Sequence, residues 1–185
     1  MPNWTSNNLT VTGKPADLKK FIKAVKSKER AFDFENIVPM PKELCGITTG
    51  SCIINGVKCD MWRDMGPSGA PEPIDKEEMA VIKKATGGHG SWYDWSCANW
   101  GTKWNASDVA GPDAGSGSVT YRFDTAWCAP MPLLVAASKM FPSLTLSVHC
   151  EHEGDSRWDE FSIKKGVVTD GDTGEVEMDE EEDEP

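Results

Sequence analysis

The sequence contains no apolar run near the ~20 residues that a helix needs to span a bilayer. Its N-terminus also lacks the basic segment and apolar stretch of a secretory signal, so we expect a cytoplasmic protein that does not contact a membrane. Because cytoplasmic thiols are kept reduced, we expect the six cysteines to form no disulfides.

Sequence motifs of familiar enzyme classes are also missing. There is no G-x-S-x-G elbow, no Walker phosphate loop and no His-x-Glu motif with paired cysteines. No set of residues amounts to a reaction mechanism. We therefore expect a binding protein with no catalytic residues and no cofactor, rather than an enzyme.

The net charge of −11 is concentrated at the C-terminal end. Residues 151–185 hold 15 of the 30 acidic residues and three basic ones, whereas residues 1–150 hold 15 acidic and 16 basic residues. A body so close to neutral disfavours tight binding to nucleic-acid phosphates. The extreme composition of residues 175–185 predicts a disordered acidic tail.

Hydrophobic spacing and turn residues divide the chain into short strands and helices. In the first half we predict a strand over 4–12 and a helix that begins at Pro15 and buries Leu18, Phe21, Ile22 and Val25. We predict a second strand over 32–39. Residues 42–74 are predicted to be irregular, with a short hairpin around Asn55 and Gly56, and residues 75–85 to form a helix. In the second half we predict a flexible loop over 110–118, a strand over 119–127, a helix over 130–141 and a strand over 144–150. Two short strands, over 160–164 and 167–169, are predicted to be joined by a turn at Lys165 and Gly166.

This order of elements predicts the fold class. Strand–helix–strand, an insertion with a helix, and a second strand–helix–strand give two split βαβ units on one antiparallel sheet. We therefore predict a ferredoxin-like α+β sandwich with its helices on one face. It forms a single domain over residues 1–174, in which residues 42–90 are an insertion with one helix, followed by the tail.

Five phrases carry a resemblance to a known family. They are MPNWTSNNLTV at the start, FDFENIVPMP at 32–41, WYDWSCANWGTKW at 92–104, FDTAWCAPMP at 123–132 and FPSLT at 141–145. In this order they resemble the YubB family, ferredoxin-like proteins carried by bacteriophages and conjugative plasmids. The resemblance implies a ferredoxin-like fold, a mobile-element origin and a bacterial host cytoplasm. It implies no reaction, and the insertion and tail depart from it.

Five of the eight tryptophans fall within 36 positions, from Trp92 to Trp127. Two interpretations stay open: the rings fill the core of a small sandwich, or they form an aromatic pocket with convergent polar groups. The spacing lacks a single period of 2 or 3.6, which favours a loop or turn, and Gly101 is predicted at positive φ. The candidate binding residues are Trp92, Tyr93, Trp95, Asn99, Trp100, Lys103, Trp104 and Trp127.

Histidines and cysteines suggest a metal site only weakly. In a strand, His149, Glu151 and Glu153 would share one face, but a solvated sheet edge explains them better. Cys45, Cys52 and Cys59 are each separated by six residues, which is not the short spacing of zinc-binding motifs. We therefore predict buried thiols and no metal site.

The leading functional hypothesis is a non-enzymatic accessory protein of a phage or plasmid. It would bind a host protein and counter a host defence or nucleic-acid-processing system, as the setting implied by the resemblance suggests. The alternative is a protein that stacks a nucleotide-like small molecule on Trp92, Trp95, Trp100 and Trp127. Direct binding of nucleic acid is not expected, because no RNP-like string accompanies the near-neutral body.

Overall fold

The computed structural model describes residues 2–67, 69–154 and 156–175. The chain forms two compact units, the first from residues up to 38 and from 100 onward, the second from residues 39–99. In chain order, the elements are β1 (Trp4–Thr12), α1 (Pro15–Val25), 3-10 turns at Phe34–Asn36 and Lys42–Leu44, β2 (Ile47–Ile54), β3 (Val57–Arg63), β4 (Glu72–Pro73), α2 (Lys76–Ala85), α3 (Trp92–Asn99), β5 (Ser107–Ala114), β6 (Ser118–Ala126), α4 (Met131–Met140), β7 (Thr145–His152), β8 (Arg157–Lys164) and β9 (Val167–Glu175).

The first unit is built on a six-stranded sheet with the order β5-β6-β1-β7-β8-β9. All its strand pairs are antiparallel. Strands β1, β5, β6 and β7, together with α1 and α4, follow the βαββαβ order of a ferredoxin-like fold. The predicted ferredoxin-like α+β class is therefore confirmed, with β8 and β9 as two further strands.

Alternating burial along β1 identifies the covered face of the sheet. Leu9 and Val11 are fully buried while Asn8 is exposed, as the period of two in a strand requires. Helix α1 contacts β6, and α4 contacts β7 and β8. The core between them is an aromatic cluster whose neighbouring ring centroids lie 5.1 to 6.4 Å apart. Its members are Phe21, Phe32, Phe34, Tyr121 and Phe123.

The second unit contains a three-stranded sheet, β2-β3-β4, with α2 and α3. Asn55 and Gly56 join β2 to β3 with φ of 51° and 79°, as a two-residue type I′ hairpin turn requires. The Asp75 carboxylate caps α2 by accepting the backbone N–H of Glu78 at 2.8 Å. The predicted hairpin and helix are confirmed. The prediction of an otherwise irregular stretch over 42–74 is wrong for β2 and β3, because a register shift after Thr49 lets the glycine-containing β2 still pair with β3. It holds for residues 64–67 and 69–71, which form no helix or strand.

The predicted strand over 32–39 is also wrong. The segment makes a 3-10 turn instead, because the Asp33 carboxylate accepts the backbone N–H of Glu35 at 3.1 Å and the Asn105 side chain accepts that of Phe34 at 3.0 Å. Such side-chain acceptors give the backbone an alternative to a strand ladder. Phe32 and Phe34 are both buried and two residues apart, which is the spacing of buried residues in a strand and explains the wrong prediction.

The remaining strand of the ferredoxin-like order is β5, in residues predicted partly as a flexible loop. Gly111 and Pro112 favour a loop, but proline is tolerated at bulges and sheet edges, and β5 is an edge strand. Its register with β6 shifts between Ser107 and Ala110, and again before Asp113. The loop prediction is therefore wrong for residues 110–114 and for Ser118, which begins β6, and holds for residues 115–117.

Part of the tryptophan-rich segment is helical, contrary to the predicted loop. The Ser91 hydroxyl caps α3 by accepting the backbone N–H of Asp94 at 3.2 Å. A serine is a common residue at the start of a helix, but the segment has no helical period of hydrophobic residues, and the helix was therefore not predicted. The boundary between the two units falls between Asn99 and Trp100. Gly101 then has φ of 84°, which confirms its predicted left-handed conformation.

The other predicted elements are confirmed in type. The last two strands are longer than predicted, since β8 pairs with β7 on one side and with β9 on the other along most of their lengths. The predicted acidic tail lies, from residue 176 onward, outside the described residues. Within the described ranges, no helix has the length and apolar character needed to cross a membrane.

Candidate functional site

Three tryptophans lie together at one end of the six-stranded sheet. Trp4 begins β1, Trp104 follows the turn at Gly101, and Trp127 directly follows β6. The rings of Trp4 and Trp104 are 6.0 Å apart between centroids, and Lys103 Nζ lies 4.3 Å from the Trp104 centroid and 5.8 Å from that of Trp127. Trp104 and Trp127 remain 37% and 43% exposed. We call Trp4, Lys103, Trp104 and Trp127 the tryptophan surface.

The backbone holds Trp127 in an unusual conformation. Its φ is 72°, in the left-handed region that costs a bulky residue roughly 1–2 kcal/mol. Its N–H donates to the carbonyl of Asn3 at 2.9 Å, and the buried Thr102 hydroxyl donates to the carbonyl of Ala126 at 2.8 Å. These bonds tie both segments of the surface to the end of the sheet, so the exposed rings are presented from a fixed backbone.

Two of the predicted site residues are core side chains. Trp95 and Trp100 are only 5% and 3% exposed. The Trp100 indole Nε1 donates to the carbonyl of Val38 at 2.9 Å, and its ring meets Phe34 edge-on at 5.8 Å. Neither ring is accessible for stacking on a ligand.

The remaining predicted residues are divided between the units. Trp92, Tyr93 and Asn99 lie on α3 in the second unit, whereas Lys103, Trp104 and Trp127 belong to the tryptophan surface. Sequence reasoning missed Trp4. The alternation of residues in β1 could have identified it, because this alternation puts Trp4 on the opposite face from the buried Thr5.

Carboxylates border the tryptophan surface. Glu153 Oε2 accepts the backbone N–H of Trp4 at 2.9 Å, and Glu151 and Glu153 line a cavity of about 340 Å³ with Trp4. Burial raises the pKa of Asp124, and the neighbouring carboxylates of Asp108 and Glu153 raise it further. The surroundings of the exposed rings are therefore acidic.

A cluster of polar side chains lies at the same end of the sheet. His152 Nε2 is 2.8 Å from Asp159 Oδ2, and Arg157 Nη2 lies 3.3 Å from the same oxygen. The Thr5 hydroxyl is 3.1 Å from His152 Nδ1, and Cys150 Sγ is 4.0 Å from His152 Nε2. We call Cys150, His152 and Asp159 the His152 cluster.

The geometry of the His152 cluster does not support a thiol nucleophile. Burial raises the pKa of Cys150 to about 11, and the Asp159 carboxylate adds to this. Cys150 and Asp159 both face Nε2 of His152, so the ring cannot relay a proton from one to the other as a catalytic triad does. Burial alone would raise the pKa of Asp159, but hydrogen bonds from Thr173 and His152 lower it, as does the charge of Arg157.

The neighbouring residues considered for a metal lie elsewhere. His149 Nε2 is 3.3 Å from Glu151 Oε1, and both side chains are substantially exposed, at 40% and 57%. His149 also stacks on Trp158 at 5.5 Å. Sequence reasoning missed the His152 cluster, although Cys150 and His152, two residues apart in a strand, were bound to share a face.

Comparisons with known proteins agree with this architecture. Residues 99–185 match the family model described as the ferredoxin-like domain in Api92-like protein. A crystal structure of the protein Api92 from Yersinia pseudotuberculosis is similar, with a TM-score of 0.54, 10% identity and coverage of 97% of this chain and 99% of that one. No curated protein matches the sequence. At this identity the likeness concerns the fold, and it agrees with the predicted ferredoxin-like class.

Proposed function

We propose that the protein is a non-enzymatic, cytoplasmic accessory protein of a phage or plasmid, and that it binds a host protein through the tryptophan surface. The observation that carries this proposal is the set of partly exposed tryptophan rings around Lys103. Tryptophan is enriched among the residues that dominate protein–protein binding energy. The phage or plasmid setting, and a role against a host defence or nucleic-acid-processing system, rest on the resemblance to the YubB family.

Two further features support a protein partner over a nucleotide. The bordering carboxylates of Glu151 and Glu153 would repel a phosphate. The cavity between Trp4 and Trp127 measures about 240 Å³, below the ~300–1,000 Å³ of most small-molecule sites, and the 340 Å³ cavity beside Trp4 is the one that Glu151 and Glu153 line. The left-handed backbone at Trp127 is energetically unfavourable, which supports the view that the position of this ring serves binding.

The experiment is affinity capture from bacterial lysate followed by direct binding to the captured protein. We expect Trp104→Ala and Trp127→Ala each to weaken binding by roughly 2 kcal/mol, about 30-fold. Tyr93→Ala is the matched control, because Tyr93 is an aromatic residue of similar exposure, 38%, that lies on α3 in the second unit.

The outcomes separate the hypotheses. A partner that binds both tryptophan variants as tightly as the wild type would refute the proposal. Loss of binding in Tyr93→Ala alone would assign the interface to α3. Saturable quenching of tryptophan fluorescence by nucleotides, abolished by Trp127→Ala, would favour the small-molecule alternative. Truncation after Glu175 tests whether the acidic residues 176–185 contribute to the same interaction.

A further inference from the structure

The His152 cluster brings three different metal-binding donors to one point. Its sulfur, imidazole nitrogen and carboxylate oxygen lie within 4.8 Å of one another. Cys150 and His152 project to the same side of β7, and Asp159 is the register partner of Cys150 on β8. His152 Nε2 lies 4.0 Å from Cys150 Sγ and 2.8 Å from Asp159 Oδ2, and these distances bracket the roughly 3.4–3.6 Å expected between ligands of tetrahedral zinc.

The combination of donors selects the metal. A thiolate and an imidazole favour zinc over magnesium or calcium, and a carboxylate is a common third zinc ligand. We propose that Cys150, His152 and Asp159 bind a Zn²⁺ ion. On binding, the Cys150 thiol loses its proton to solvent, and the Zn–S bond replaces the S–H bond. This proposal does not depend on the proposed host partner.

The surroundings of His152 support this assignment. The Thr5 hydroxyl, fully buried, lies 3.1 Å from Nδ1 and can accept its proton. When a metal replaces the hydrogen bond between Nε2 and Asp159, this tautomer gives Nε2 the lone pair that the metal requires. Asn7 is the register partner of Cys150 on β1, and its buried side-chain oxygen has no hydrogen-bond partner among the described residues. The cluster therefore has a supporting hydroxyl at Nδ1 of His152, and a buried residue with an unsatisfied acceptor is the register partner of Cys150.

Arg157 is the group that competes with the metal. Its guanidinium lies 3.3 Å from Asp159 Oδ2, and its side chain is half exposed, so it can turn toward solvent when a cation binds. Because Arg157 places a positive charge next to a ligand oxygen, Arg157→Gln should raise zinc affinity. A purely structural ion pair makes no such prediction.

The test uses metal-free full-length protein and competition with a chromophoric zinc chelator. Cobalt serves as a second probe, since a thiolate ligand gives Co²⁺ a near-ultraviolet charge-transfer band. We expect Cys150→Ser to abolish that band, because it removes the thiolate. Cys150→Ser and Asp159→Asn should each weaken zinc binding at least about tenfold. Cys45→Ser and His149→Gln are matched controls, because Cys45 is an exposed thiol of the second unit and the His149 side chain is 40% exposed and paired with Glu151 instead.

Circular dichroism checks that each variant is folded, and the nearly isosteric Asp159→Asn keeps the test decisive if Cys150→Ser does not fold. Absence of saturable zinc binding to the wild type would overturn the proposal. Equal affinity and an unchanged cobalt band in Cys150→Ser would do so as well. Trp104→Ala should leave zinc binding unchanged, so this test and that of the host partner fail separately.

Discussion

Trp100 and Trp104 are four residues apart, yet the structure gives them opposite environments. Trp100 is 3% exposed, and its Nε1 donates to the carbonyl of Val38 at 2.9 Å. Truncating a buried tryptophan costs ~3–5 kcal/mol, and leaving that carbonyl without its donor adds ~1–3 kcal/mol. We therefore expect Trp100→Ala to lower the free energy of unfolding by at least ~4 kcal/mol, a large share of the ~5–15 kcal/mol typical of a folded protein.

Trp104→Ala should cost much less. Its ring is 37% exposed and contacts the Trp4 ring and the Lys103 ammonium. These contacts contribute ~0.5–1.5 and ~0.5–1 kcal/mol, so we expect a loss of ~1–2.5 kcal/mol.

The assay is urea denaturation followed by far-ultraviolet circular dichroism, since eight tryptophans make fluorescence changes ambiguous. Trp100→Phe keeps an aromatic ring but removes the indole donor, so its cost should fall between the two alanine variants. Equal costs for Trp100→Ala and Trp104→Ala would refute the division into core and surface rings. So would a loss below ~2 kcal/mol for Trp100→Ala.

Three further predictions concern the first unit. Tyr121→Phe should leave stability unchanged or raise it by up to ~1 kcal/mol in the same urea assay, because the buried hydroxyl has no partner among the described residues; a loss above ~1 kcal/mol would contradict this. Gly101→Ala should cost more than ~2 kcal/mol, since a Cβ would lie 2.5 Å from Pro132 Cδ at φ of 84°; an unchanged melting temperature would contradict it. Burial raises the pKa of Asp33, but hydrogen bonds that include one from Asn105 at 2.7 Å lower it below 3.8. Its contribution to stability is therefore present above about pH 4 and lost as the pH falls through the folded pKa, and Asn105→Ala should flatten that acid-induced loss.

Local patterns were sufficient for elements whose signals lie within a few residues. The stripe of Leu18, Phe21 and Val25 predicts α1 because those positions share one helical face. Asp75 predicts the start of α2 because it can cap the free N–H groups there. Asn55 and Gly56 predict a hairpin because both tolerate positive φ. None of these conclusions needs a contact from elsewhere in the chain.

Long-range contacts explain the failures. The Phe32–Phe34 segment turns because Asn105, 71 residues away, accepts the backbone N–H of Phe34. Strand β5 forms in spite of Gly111 and Pro112 because β6 supplies a partner for an edge strand with two bulges. Composition cannot report such contacts.

The sequence by itself determined β1, β6, β7 and both helices of the ferredoxin-like order, which was enough for the class because such an order admits few ways of burying the apolar faces. The fourth strand was predicted over 32–39, and the structure forms it as β5 instead. The sequence also determined that the tryptophan-rich segment is the main landmark. Only the tertiary structure decided that Trp95 and Trp100 are core residues, whereas Trp104 and Trp127 join Trp4 on an exposed surface. Only the tertiary structure also brings together the donor atoms of Cys150, His152 and Asp159, which converge because β7 and β8 pair in one register. Exposure and convergence depend on which strands become neighbours, and that depends on contacts across the whole sheet.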